Sequence, residues 1–175
     1  MLLDKIHAIK QISHEDRFND LLLAILRLRF PIWGWTILDQ PRIGSSPTGV
    51  NAGEADILVQ AGGQNIAFIE ALILESGNNT KTKEHILKCF DYVSYLSRYY
   101  IIVYFRGPAA NFDATWAIYT TNVLTIPFPV LVAINTTHRF VSLSDKFDDV
   151  RHLKIAKTIH ESGVEMFHIM INLGV

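Results

Sequence analysis

The chain has little that would place it among disulfide-stapled, membrane-spanning or broadly polyanion-binding proteins. It has one cysteine, Cys89, which excludes an intrachain disulfide and fits a reducing compartment. No apolar run approaches the roughly 18 residues that a spanning helix needs, and the start, MLLDKIHAIKQ, lacks the apolar stretch of a secretory signal. The expectation is a cytoplasmic protein without a membrane partner. Lysine and arginine number 16 against 17 acids, a formal charge of −1, so any contact with a polyanion must be local. No Gly-x-Gly-x-x-Gly or P-loop follows a strand, and no HExxH or other paired metal spacing joins His7, His14, His138, His152, His160 and His168. Those histidines read as structural, Cys89 as a small core residue, and Trp33, Trp35 and Trp116 as core or interface packing rather than base-stacking platforms.

What is present is a large apolar fraction, 49% of 175 residues, enough for one substantial core and hence one domain over 1–175. From Glu15 to Phe30 the apolar residues Phe18, Leu21, Leu22, Ile25, Leu26 and Leu28 recur at helical spacing, with Ser13 placed to cap the first turn. Acids early and Arg27 and Arg29 late suit the helix dipole. Trp33 to Leu38 reads as a strand, and Gln40 to Gly53, rich in proline, glycine and serine, as a mobile loop. Ala55 to Ala61 and Asn65 to Leu74 read as a hairpin joined through Gly62, Gly63 and Gln64.

Thr80 to Ser97 reads as a second helix, with Thr80 or Thr82 as its N-cap, and Tyr99 to Phe105 as a strand buried on both faces. Further on, Phe112 to Thr121 is expected to be helical, Val130 to Ile134 extended, Asp149 to His160 helical, and Val164 to Leu173 a closing strand. The order defines an α/β domain with helices flanking one mixed sheet. The chain stops directly after its last apparent strand, as a domain cut from a longer protein would.

The chemistry sits in the hairpin. A three-residue loop of Gly62, Gly63 and Gln64 pairs Ala61 with Asn65 and sets Asp56 opposite Glu70. Two carboxylates so placed have Cβ atoms about 5 Å apart and repel unless a cation lies between them. Both lie in apolar strands, where unpaired charge is costly. Hard oxygen ligands of this kind suit Mg²⁺ or Mn²⁺, which can lower the pKa of a bound water and offset charge as a phosphodiester is attacked. A two-residue loop of Gly62 and Gly63 would instead set Asp56 opposite Ile69 and destroy the site. The acids would then serve stability alone.

With helix, strands, helix and strand in this order, residues 15 to 105 resemble the core of the PD-(D/E)XK, or restriction-endonuclease-like, nucleases, which leaves 106–175 as a C-terminal extension. The resemblance rests on the Asp of Gly53-Glu54-Ala55-Asp56-Ile57-Leu58-Val59 and the Glu of Phe68-Ile69-Glu70-Ala71-Leu72. It implies a core of helix, three-stranded antiparallel meander, helix and further strand. It also implies metal-dependent cleavage of nucleic acid, DNA rather than RNA, in bacterial defence or DNA processing, and a possible homodimer or larger multidomain protein. Many members add a glutamate in the first helix, and Glu15 is the position that fits. Where the family has lysine, two residues after the Glu, this chain has Leu72, and an aliphatic side chain can neither orient water nor offset charge.

Some members carry a Gln four residues before a Tyr on the following helix, facing the site. Lys88 and Tyr92 have that spacing here, which makes Lys88 the candidate for a migrated catalytic lysine. His85, one turn earlier on about the same face, is placed to contact phosphate or water. Lys81, Lys83, Lys88, Arg98 and Arg106 outnumber Glu84 and Asp91 nearby, a locally positive segment that could follow a phosphate backbone. The rival expectation, carried by Leu72, is a catalytically inactive nuclease-like fold kept for binding or oligomerisation.

Overall fold

The computed structural model describes residues 15–43, 53–54, 56–92, 96–129, 140–147, 150–160 and 163–174. Helix α1 spans Glu15–Arg29, followed by a 3-10 turn, Phe30–Trp33. Strand β1 (Trp35–Asp39) follows; β2 (Arg42–Ile43) and β3 (Gly53–Glu54) pair as a short separate ladder. The expected loop from Gln40 to Gly53 is thus corrected at its ends, and its middle, 44–52, lies outside the described residues. Next come β4 (Ile57–Ala61), β5 (Gln64–Leu74), α2 (Asn79–Tyr92) and β6 (Arg98–Phe105). Helix α3 (Phe112–Leu124), β7 (Val141–Ser142), β8 (Leu153–Ile159) and β9 (Glu165–Asn172) complete the order.

Seven strands form one mixed sheet in the order β1-β4-β5-β6-β9-β8-β7. The first three make an antiparallel meander, β6 joins β5 in parallel after the α2 crossover, and β9 joins β6 in parallel. Residues beyond 106 therefore extend the same sheet rather than form a separate unit. Helix α1 packs on one face, where Phe18 stacks on Tyr104 with ring centroids 4.7 Å apart, over Val59, Ala67, Ile69 and Ile102. Helices α2 and α3 cover the other face, over Leu58, Phe68, Leu72, Tyr99, Ile101 and Val103. Full burial of side chains of this size stabilises by about 1.5–3 kcal/mol each.

The hairpin departs from the expected turn and still arrives at the expected pairing. Gly62 and Gly63 form a two-residue turn, both with positive φ, +56° and +78°, a conformation glycine adopts without steric cost. Ala61 pairs with Gln64 and Gln60 with Asn65, which is the register that would misplace Asp56. A bulge between Val59 and Gln60 then shifts the ladder by one residue, so that Val59 pairs with Ala67, Leu58 with Phe68 and Ile57 with Ile69. The ladder ends there; Asp56 is the next residue before Ile57 and Glu70 the next after Ile69, and Asp56 Oδ2 accepts the Ala71 N–H beside Glu70.

Two other expectations are corrected. Asp149 to His160 is not helical: Leu153–Ile159 is a strand, pairing with β9 from Leu153↔Ile171 to Ile159↔Glu165. Its period is two, with Ala156, Thr158 and His160 buried on one face. Neither Thr80 nor Thr82 opens α2; Asn78 caps it, its Oδ1 accepting the Lys81 N–H at 2.9 Å. Trp33, expected in core or interface packing, lies outside the core, 60% exposed in the 3-10 turn. Ser13 and Val130 to Ile134 lie outside the described residues. Among the described residues no helix is long and apolar enough to cross a membrane.

Candidate active site

Alternation along β5 sends Phe68, Glu70, Leu72 and Leu74 toward α2 and α3, and Ala67, Ile69 and Ala71 toward α1. Glu70 is thereby carried into the interior, with no exposed surface. Asp56 sits at the mouth of the same face, just before β4, its side chain 17% exposed. Its Oδ2 accepts the Ala71 N–H at 2.8 Å, while its own carbonyl accepts the Gln40 N–H at 3.0 Å. These bonds fix the carboxylate beside β5.

Helix α2 crosses above. Ile86, Cys89 and Phe90 form its buried stripe, and His85 and Lys88, three residues apart, project together toward Glu70. The Lys88 ammonium lies 2.8 Å from Glu70 Oε1 and 3.7 Å from Asp56 Oδ1. His85 Nδ1 lies 2.9 Å from the same Oε1. Facing a carboxylate oxygen, which accepts, Nδ1 is the ring nitrogen placed to donate. Leu72, where the resemblance would place a lysine, is fully buried in the cluster holding Ile86 and Cys89. The amine that reaches Glu70 comes from the helix instead.

Glu70 Oε2 is buried and has no hydrogen-bond partner among the described residues. An orphaned buried polar atom costs about 1–3 kcal/mol. Beside Asp56 it is a hard oxygen donor of the type that Mg²⁺ or Mn²⁺ takes, so the residues fit such an ion. Among the described residues no group of three or more His, Cys, Asp or Glu converges as a metal cage. An ion held by Asp56 and Glu70 would therefore keep several waters, as Mg²⁺ commonly does.

Cys89, next to Lys88, is buried, and burial pushes its thiol pKa well above the ordinary value. The Glu70 carboxylate adds to the rise, Lys88 opposes it, and Asp56 adds again. The thiol stays protonated, which removes it as a nucleophile. Of the other expected residues, Lys83 is exposed and Lys81 half-buried on α2. Glu15 opens α1 and Tyr92 closes α2, but their side chains lie outside the described residues.

A second polar cluster escaped the sequence reading. Across the sheet Glu70 aligns with Ile101 and Ile101 with His168, so His168 lies about 10 Å away, two strand spacings. Its Nδ1 is 2.8 Å from the Tyr119 hydroxyl and its Nε2 3.2 Å from Thr158 Oγ1, which is 3.0 Å from His160 Nε2. All four residues are buried. Burial, then the neighbouring His160, lowers the His168 pKa to about 3, and burial raises that of Tyr119. A neutral histidine between two hydroxyls is a satisfied core group. The pattern Met166-x-His168-x-Met170 in the closing strand already places this ring on an apolar face.

Compared with protein-family models, with curated proteins and with solved structures, the chain matches none.

Proposed function

We propose that the protein is a metal-dependent phosphodiesterase of the PD-(D/E)XK type that cuts nucleic acid, DNA in preference to RNA, with Asp56 and Glu70 as metal ligands. The observation that carries this reading is the placement of Lys88, 2.8 Å from Glu70 and 3.7 Å from Asp56, supplying from α2 the amine missing at Leu72. The order of helix, antiparallel meander, crossover helix and parallel strand supports the same reading. A bound Mg²⁺ or Mn²⁺ would acidify a water and offset phosphate charge. Lys88 orients the attacking water and balances the charge that grows on the phosphate oxygens. His85, anchored through Nδ1 on Glu70, turns Nε2 toward water or phosphate. Lys81 and Lys83 follow the phosphate backbone. Incubation with single- and double-stranded DNA and RNA in Mg²⁺ or Mn²⁺ is expected to yield cleavage of DNA first; inertness toward all four sinks the reading.

A second reading is a nuclease-like fold without catalysis, serving binding or oligomerisation. It is favoured by the burial of Leu72 and by the two side chains, Lys88 and His85, that already occupy one Glu70 oxygen. It predicts no thermal shift with Mn²⁺. A stabilisation by Mn²⁺ that vanishes in Glu70→Ala counts against it.

A further inference from the structure

The same geometry raises a question about loading. The Lys88 ammonium stands against both carboxylates, the position from which a divalent ion would be held, and two cations cannot share it without strong repulsion in a site where Glu70 is wholly buried. His85 holds the same Glu70 oxygen but approaches from one turn earlier on α2. The two cationic-type neighbours are therefore not equivalent: His85 anchors one carboxylate, whereas Lys88 bridges both. Lys88 also has the longer, more flexible side chain of the two, a four-carbon stem with 28% of its side chain exposed. Glu70 Oε2, buried without a partner, marks where the ion would gain most.

We propose that Lys88 is a displaceable counter-ion: in metal-free protein its ammonium stands in for the divalent ion between Asp56 and Glu70, and metal binding moves it off Asp56 toward the mouth. This rests on the metal-site reading above. Metal loading and the positioning of the catalytic amine then become one event, and the fold tolerates a buried glutamate before any ion arrives. Lys88 in this role opposes metal binding even though it serves the reaction, so its removal should affect the two in opposite directions. A lysine that only positions water would leave metal affinity unchanged, and one that only props the helix would lower it.

The test is Mn²⁺ affinity, read by electron paramagnetic resonance of the free ion on the full chain, for wild type, Lys88→Met, Lys88→Gln and Glu70→Gln. Two substitutions at Lys88 guard against one failing to fold, which circular dichroism checks. Removing the ammonium is expected to tighten Mn²⁺ binding by about tenfold or more in both Lys88 variants while cleavage is lost. Binding in Lys88→Met alone, with none in wild type, also supports the proposal. Equal or weaker binding in both folded Lys88 variants, with wild type still binding and Glu70→Gln not, overturns the displacement and leaves the metal-site reading standing. Failure of wild type and both Lys88 variants to bind Mn²⁺ overturns both.

Discussion

Acidification should weaken the fold through His168 in a way that can be calculated. Its folded-state pKa of about 3 lies below the ordinary 6.5, because burial and then His160 penalise the imidazolium. The unfolded chain therefore takes up a proton that the folded protein refuses. The contribution to stability is complete above pH 6.5, declines as pH falls below it, and stops declining near pH 3. The slope is about 1.4 kcal/mol per pH unit, so roughly 2 kcal/mol is lost by about pH 5. The groups that face the ring are the Tyr119 hydroxyl from α3 and Thr158 and His160 from β8. His168→Gln keeps a donor and an acceptor there but cannot titrate. Urea unfolding at several pH values from 8 to 5 should show wild type losing about 2 kcal/mol more than His168→Gln over that interval. Parallel pH profiles for the two proteins would refute the assignment.

Other consequences follow from single residues. Leu72→Lys puts a charge at a fully buried position already filled by packing, so it should cost at least about 3 kcal/mol and lower Tm by 6 °C or more in a thermal melt, without raising cleavage. An unchanged Tm would mean that position 72 opens to the site. Gly63→Val forces a β-branched residue to φ near +78° and should destabilise by about 1–2 kcal/mol or more in chemical denaturation. Lys88→Met should slow phosphodiester hydrolysis by about a hundredfold or more. Retained rates would remove Lys88 from the reaction.

How much of this was legible in the residues depends on how local the signal was. The α1 stripe around Phe18 to Leu26 and the apolar β6 run are local, and both appear where their periodicity puts them. The Asp56–Glu70 pairing was anticipated through a three-residue turn. It is reached through a two-residue turn plus a bulge at Val59/Gln60, and nothing in the VQAGGQN stretch announces that compensation. Asp149 to His160 misled because lysine and alanine favour helix on propensity, whereas pairing with β9 decides the outcome. The approach of Lys88 to Glu70 was visible only as a helix spacing; their separation of 18 positions closes through tertiary packing. The Tyr119–His168–Thr158–His160 chain joins residues from separate elements, so no sequence spacing could reveal it.

The central claim is that Asp56 and Glu70 hold a divalent ion that cleaves nucleic acid, and isosteric variants test it with least disturbance to packing. Labelled DNA incubated with Mg²⁺ or Mn²⁺ should be cut by wild type and spared by folded Asp56→Asn and Glu70→Gln, with chelation stopping the wild-type reaction. Cleavage that persists in both variants, or wild-type protein that cuts no nucleic acid with either ion, would contradict the account.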